Sequence, residues 1–425
     1  MTDAPATVEL TVAAMGAAGD GVAPGPIFIA GALPGERVRA TPSGRRGDGT
    51  VARLDAILDA SADRVAPPCP HVSQGCGGCA VQHWAPEAVA RWKRSRIVEA
   101  LQRAGFAEPT VAATITVPAH TRRRADFALR RQPDGTIIIG FHARGSGTVL
   151  AVPDCHVLDP RLVALLPRLA MALRSLSALR REGAAVVNLT DAGPDLLLRT
   201  DGPLDAPGRA GLAAFAAAEG LPRIAWAQRD APPETAAQLR PTTLRLSGVE
   251  VAPPPGTFLQ AVPAGEVAIV EAVLAGLAPK MPPRARIADL YAGLGTLTFP
   301  LAGRGRVAAF ESEAGAVATL SAAAARAGLP VAAARRDLMR QPLSAAELAP
   351  FAAVVLDPPF AGAPEQCGQI ARSKVARVIY VSCNPAALAR DARTLSVAGF
   401  RLLAATPIDQ FLWSAQVEAV AVFTR

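Results

Sequence analysis

Cys383 stands in Tyr380-Val381-Ser382-Cys383-Asn384-Pro385, at the end of the largely apolar run 375–381 and just before an Asn-Pro break. A strand ending there delivers a thiol to the carboxyl edge of an open α/β sheet, the edge at which such sheets bind ligands. A free cysteine is otherwise a small buried hydrophobe. The Asn-Pro that follows argues for a loop position instead.

Other reactive types fall at the ends of neighbouring strands. In Ala288-Asp289-Leu290-Tyr291-Ala292-Gly293-Leu294-Gly295-Thr296 a strand runs into a glycine loop and then a helix. Gly293 and Gly295 let the backbone come close to a ligand. Glu311, closing the next strand, can accept hydrogen bonds from ribose hydroxyls. NAD and S-adenosylmethionine both offer such a ribose. The dinucleotide fingerprint needs a third glycine three residues after the second, and Thr298 stands there, which favours S-adenosylmethionine. Asp357, in Leu356-Asp357-Pro358-Pro359, ends a further strand, because the prolines cannot continue a central ladder. Asp-Pro is also a common turn, and its register with the other strand ends is what sets it apart.

A thiolate beside a methyl donor points to a carbon too inert to be methylated directly, and uracil C5 is one. Sulfur adding to C6 makes C5 nucleophilic; after C5 is methylated, a base removes its proton and the cysteine is eliminated. Glu418, in a carboxyl-terminal strand pattern, is a candidate base, although by spacing alone it reads as a solvent-facing strand residue.

The elements that must position these groups form a βαβ series. Short apolar strands at 286–291, 306–311, 330–335, 351–357 and 375–382 alternate with helical stretches at 312–327, 364–373 and 386–398, after a helix over 264–279. The class is α/β, with a doubly wound, Rossmann-like carboxyl-terminal domain over 256–425. Residues 1–60 alternate β-like runs with Gly and Pro, which predicts a small barrel. Residues 61–255 form a central α+β segment with helices expected over 86–105, 161–182 and 209–220.

Cys69, Cys76, Cys79 and the distant Cys155 can make a four-thiolate site for zinc or an iron–sulfur cluster, which spacing does not separate. Cys367 fits neither site. Across 425 residues the formal charge is +8, raising the expectation of a polyanionic partner. The charge gathers at Arg91, Lys93, Arg94 and Arg96, and again at Arg122, Arg123, Arg124, Arg130 and Arg131, either as phosphate contacts or as solvated faces. The start Met1-Thr2-Asp3-Ala4 lacks a leader's basic and apolar regions, and no apolar run reaches membrane-spanning length; a cytoplasmic protein without membrane contact is expected.

Phe258-Leu259-Gln260, the glycine loop, Leu356-Asp357-Pro358-Pro359 and Val381-Ser382-Cys383-Asn384-Pro385 through Asp391 together resemble the RNA uracil-5-methyltransferases, which make 5-methyluridine in tRNA or rRNA. The resemblance covers nearly the whole chain. It implies Cys383 as nucleophile, Glu418 as base, and Gln260, Tyr291, Gly293, Gly295, Thr296, Glu311, Asp337 and Asp357 around S-adenosylmethionine. It also implies Phe258 facing the target base, an RNA-binding TRAM barrel over residues 1–60, and a 4Fe-4S cluster on Cys69, Cys76, Cys79 and Cys155. Phe360 and Gln416 depart from the family pattern, where arginine and histidine are usual, and six residues rather than five separate Cys69 from Cys76. A monomer acting on RNA is expected. The competing readings are a nicotinamide-dependent iron–sulfur oxidoreductase and a non-catalytic RNA-binding protein.

Overall fold

The computed structural model describes residues 6–282 and 284–425; the first five residues, on which the reading of the amino terminus rested, lie outside them. The carboxyl-terminal sheet has eight strands in the order Val331–Arg335, Arg306–Glu311, Arg286–Leu290, Ala353–Leu356, Arg377–Ser382, Glu418–Thr424, Arg401–Asp409, Ile115–Thr116. The first five are parallel, and Glu418–Thr424 runs antiparallel between its two neighbours. The order reverses at Arg286–Leu290, so a crevice opens at that point on the carboxyl edge. Ala353–Leu356 is buried throughout, as a parallel strand covered on both faces must be.

One face of this sheet packs on Cys367 and Ile370 of the helix Pro364–Arg372 and on Leu388 and Leu395 of the helix Pro385–Val397. The other packs on Ile269 and Val273 of Pro263–Gly276. Cys367 is therefore a core residue. The helix Pro86–Arg103 also contributes Ile97 and Leu101 to the first face, and Ile115–Thr116 extends the sheet edge. Both come from the stretch expected to be central. An amphipathic helix is stabilised by whichever apolar surface accepts its stripe, and here that surface is the catalytic sheet.

Residues 8–59 form a six-stranded sheet around a small core of Val12, Ile29, Val38 and Ala52. Between the two lies a seven-stranded sheet from Arg124–Arg131 to Glu234–Gln238, backed by the helices Pro160–Leu173 and Ala206–Glu219. The helix expected over 161–182 ends at Leu173. The guanidinium of Arg131 donates to the carbonyls of Leu173 (2.8 Å), Arg174 (2.9 Å), Leu176 (3.0 Å) and Leu179 (2.7 Å), satisfying the helix end and turning the chain into Glu182–Thr190.

Much of the clustered basic charge is spent internally. Lys93 is fully buried against Asp409; Arg94 donates to the carbonyls of Val111 and Ala112, and Arg96 to that of Ala415. Arg123 is buried against Glu266 at 2.5 Å. Neither group is simply a solvated face or a row of phosphate contacts.

Candidate active site

Cys383 is held between a strand and a helix. It follows Arg377–Ser382; Asn384 then caps Pro385–Val397, its Oδ1 accepting from the Ala386 N–H at 3.0 Å, while its Nδ2 donates to the Phe360 carbonyl at 2.9 Å. The thiol is half-buried. Burial, then the charges of Glu418 and Asp357, push its pKa up to about 12, so in the free protein the sulfur is protonated at neutral pH.

Glu418 opens the strand beside it, where Ser382 pairs with Ala419. It is 4% exposed, not solvent-facing. Gln410 donates from Nε2 to Glu418 Oε2 at 2.9 Å and to Gln260 Oε1 at 2.8 Å; Gln260 Nε2 in turn faces Asp357 Oδ2 at 3.3 Å. A polar line thus runs from Glu418 through two amides to Asp357. Burial lifts Asp357 to about 7, and burial with the Asp357 charge lifts Glu418 to about 8. Cys383, Glu418, Asp357 and Gln260 converge as expected. Gln410 was missed: it lies next to the strand Arg401–Asp409, and only the hairpin register reveals its proximity to Glu418.

The glycine loop lies on the same edge. Gly293 (φ 54°) has nothing within 4 Å of a built Cβ, leaving open space on that side, whereas at Gly295 (φ 99°) a Cβ would come within 2.7 Å of the Phe299 ring. Tyr291 also takes a left-handed φ of 64°, a cost a non-glycine residue bears at few places besides functional sites. The Gly293 N–H donates to Glu311 Oε2 at 3.0 Å, and Glu311 Oε1 accepts from Ser312 N and Oγ and Glu313 N, fixing the carboxylate at the second strand's tip. Asp337 lies beyond the third strand, accepting from Met339 N at 3.1 Å; the Tyr291 hydroxyl approaches Met339 Sδ at 3.9 Å. Thr296 is partly exposed within the loop. Behind it, Thr298 donates to fully buried Asp289 at 2.5 Å, and burial raises this carboxyl to about 7. The Phe258 ring is 64% exposed, with the Arg124 guanidinium 5.5 Å from its centroid.

A cleft of about 450 Å³ is lined among others by Met15, Trp92, Arg96, Phe360, Asn384, the residue after Cys383, and Gln416. The two residues that depart from the family pattern, Phe360 and Gln416, both face it.

Cys69, Cys76, Cys79 and Cys155 line a separate cavity with His71, Gln82 and Phe141. Their backbone is braced: Gln82 Oε1 accepts from Cys69 N at 3.2 Å, Arg144 donates to the Cys79 carbonyl at 2.9 Å, and His71 pairs with Asp154. Burial, then the other three cysteines, raise Cys79 to about 12; burial, with Cys69 and Cys76, raises Cys155 in the same direction. Among the described residues, no three His, Cys, Asp or Glu side chains close into a compact group for a single metal ion. No helix among them is long and apolar enough to cross a membrane.

Residues 330–425 match the family described as tRNA (uracil-5-)-methyltransferase. A relative from Caulobacter vibrioides described as an RNA methyltransferase is 44% identical over 98% of this chain and 100% of its own length. The 23S rRNA (uracil(1939)-C(5))-methyltransferase of Halomonas elongata is 37% identical over 93% of this chain and 84% of its length. The solved structure of Pyrococcus abyssi tRNA (uracil-54, C5)-methyltransferase with S-adenosyl-L-homocysteine has the same fold: TM-score 0.74 and 22% identity, covering 98% of this chain and 100% of that one. With the thiol, the buried acids and the glycine loop on one sheet edge, and relatives of this identity along almost its full length, the chain belongs to the RNA uracil-5-methyltransferases, enzymes that use S-adenosylmethionine to methylate C5 of uridine in RNA.

Proposed function

We propose that Cys383 and Glu418 perform this methylation as nucleophile and base. The observation that carries the reading is their position at adjoining ends of antiparallel neighbours, one half-buried thiol beside one buried carboxyl. A uracil entering the crevice meets the Cys383 sulfur at C6. The half-buried thiol loses its proton to solvent, the S–C6 bond forms, and the C5=C6 electron pair becomes an enolate nucleophilic at C5. Gln260, Tyr291, Gly293, Gly295, Thr296, Glu311, Asp337 and Asp357 would hold S-adenosylmethionine, which would supply an electrophilic methyl group to that carbon and leave as S-adenosyl-L-homocysteine. Glu418 then takes the C5 proton, the C–H electrons restore C5=C6, and the S–C6 bond breaks to free the cysteine. Only the ionised carboxylate can accept that proton, so activity rises as pH rises through the range in which Glu418 ionises.

Phe258, ring exposed and backed by a cation, suits a base turned out of its stack, and a base must be turned out before C6 can be reached. The sheet Val8–Asp59 is read as a TRAM-type RNA-binding barrel, and the cleft past Met15 and Arg96 as the path from it to the crevice. Relatives named for 23S rRNA at 37% and 38% identity favour large-subunit rRNA over tRNA as the substrate. A monomer acting on cytoplasmic RNA belongs to the same reading. The division into units 1–60, 61–255 and 256–425, for RNA binding, cluster binding and methyl transfer, belongs to the same reading.

The cysteine cavity suits a 4Fe-4S cluster. Four thiols and no carboxylate line it, a soft donor set. Cys69, Cys76, Cys79 and Cys155 would hold the cluster and tie residues 69–79 to the loop at 155, a structural role.

The test pairs Cys383→Ala with mass-spectrometric mapping of 5-methyluridine in 23S rRNA and tRNA from cells lacking the gene. We expect one lost rRNA mark, restored by the wild-type gene and not by the variant, with S-adenosyl-L-homocysteine still bound by the purified variant. Restoration by Cys383→Ala, or no lost mark in any RNA, would overturn the reading.

A further inference from the structure

We infer that Gln410 is a positioning residue for methyl transfer: its single carboxamide nitrogen, donating to Glu418 and Gln260 at once, sets the orientation of both. The inference rests on the reading of Glu418 as the base that accepts the C5 proton.

The geometry leaves little freedom. Both Gln410 Nε2 hydrogens are used, at 2.9 Å to Glu418 Oε2 and at 2.8 Å to Gln260 Oε1. If the amide were turned over, its oxygen would face Gln260 Oε1 and Glu418 Oε2, and once Glu418 is ionised, as its role as base requires, three acceptors would meet without a proton. With Oε2 engaged, Glu418 keeps Oε1 buried and without a partner, the lone-pair oxygen that a proton acceptor needs. Because Gln260 Oε1 is engaged too, its Nε2 end is directed at Asp357. One side chain thus decides which oxygen of the base is free and which end of a neighbouring amide faces the crevice.

Gln410 is itself held from two other elements. Lys93, fully buried on the helix Pro86–Arg103, pairs with Asp409 and donates to the Phe411 carbonyl at 3.1 Å, gripping the residues on either side of Gln410. From the helix Pro263–Gly276, Gly265 lies so close that a Cβ would stand 2.7 Å from Gln410 Cβ and 3.3 Å from its Oε1. This glycine does not have a left-handed φ that would require it, so what it provides is room for the Gln410 side chain. A buried cation and a missing side chain, on different helices, converge on one amide. Gln410 Oε1 is buried without a partner, a cost tolerated where the opposite end of the same group is used twice.

Loss of this orientation should slow the step in which the C5 proton leaves and spare the steps before it. The enzyme would then accumulate RNA joined through C6 to Cys383 and already methylated at C5. The test compares wild type, Glu418→Gln, Gln410→Met and Gly265→Ala as full-length proteins with unmodified 23S rRNA. It measures kcat, KM, S-adenosyl-L-homocysteine affinity and the fraction of protein–RNA adduct surviving denaturing gels. Gln410→Met keeps length and volume but no donor; Gly265→Ala keeps every donor and only displaces the amide, so it carries the test should Gln410→Met not fold. We expect both to lower kcat by about 10- to 100-fold with little change in KM or cofactor-product affinity, and both to accumulate adduct as Glu418→Gln does. Turnover like wild type, or lost turnover without adduct while Glu418→Gln accumulates it, overturns the role of Gln410 alone. If Glu418→Gln itself forms no adduct, the assignment of the base fails, and the inference with it.

Discussion

Two places in this molecule hold buried thiols whose pKa is driven up to about 12, and they are built for different ends. At the sheet edge, Cys383 is one sulfur facing two carboxyls, and part of its upward shift comes from the charges of Glu418 and Asp357. In the cavity near residue 76, Cys79 is one of four sulfurs, and beyond burial its shift comes from the other cysteines. Residue type is the same and so is the direction of the shift. A lone thiol beside carboxyls suits the addition to carbon proposed for Cys383; four thiols around one cavity suit the cluster proposed for them. What surrounds each sulfur, more than the sulfur itself, separates chemistry from architecture.

The sharpest way to break this contrast is to remove one sulfur from each place. Cys383→Ser should lower methyl transfer by at least about 10⁴-fold, with the unfolding temperature almost unchanged. Cys76→Ser should do the reverse: iron content and visible absorption are lost and the unfolding temperature drops by several degrees, while folded protein keeps activity within about tenfold of wild type. Absorption spectroscopy, thermal melts and methylation assays on the same samples decide it; equal losses of activity would erase the distinction.

A second measurement concerns the carboxyls alone. The folded-state pKa values of Asp289 and Asp357, about 7, and of Glu418, about 8, lie above the ordinary 3.8 and 4.5. Between these limits the folded chain holds protons that the unfolded chain has released. Their contribution to stability is therefore full below about pH 4 and lost as pH rises through about 7 to 8. The unfolding temperature should fall over that window, and Asp289→Asn, which replaces a buried acid whose side chain accepts only from the Thr298 hydroxyl, should flatten the slope. A melt series across pH on the two proteins checks this; an unchanged slope would mean that Asp289 is ionised in the fold.

The smallest effect separates the two kinds of thiol directly. Glu418→Gln removes one of the charges that oppose ionisation of Cys383, so alkylation of Cys383 at about pH 9, followed by peptide mass spectrometry, should quicken a few-fold. Alkylation of Cys79 should not respond, because its shift has no contribution from Glu418.

Much of the carboxyl-terminal fold is legible in the chain. Strands such as Arg306–Glu311 and Arg377–Ser382 appear as short apolar runs, and helices such as Pro364–Arg372 follow where the period changes, because parallel strands covered on both faces are built mostly of apolar residues. Cys383, Asp357 and the glycine loop stand out for the same reason: each interrupts such a run at its carboxyl end. The rest depends on contacts between distant residues. Arg131 reads as surface charge until its guanidinium is seen ending the helix Pro160–Leu173, and Lys93 reads as one of a basic group until Asp409 is found beside it, 316 residues away. Gln410 has no local signature, since an amide joining two strands and a loop is defined by register and not by its neighbours in sequence.

The sequence by itself determined which groups reach the active edge, because strand ends, prolines and glycines act locally on the backbone. Tertiary structure alone decided their surroundings: that burial and two carboxyls push the Cys383 pKa up, that Glu418 is buried beside it with one oxygen unpartnered, and that four cysteines from two distant segments share a cavity. The physical reason is that protonation and hydrogen-bond orientation depend on burial and on charges a few ångströms away in space, and neither is set by position along the chain.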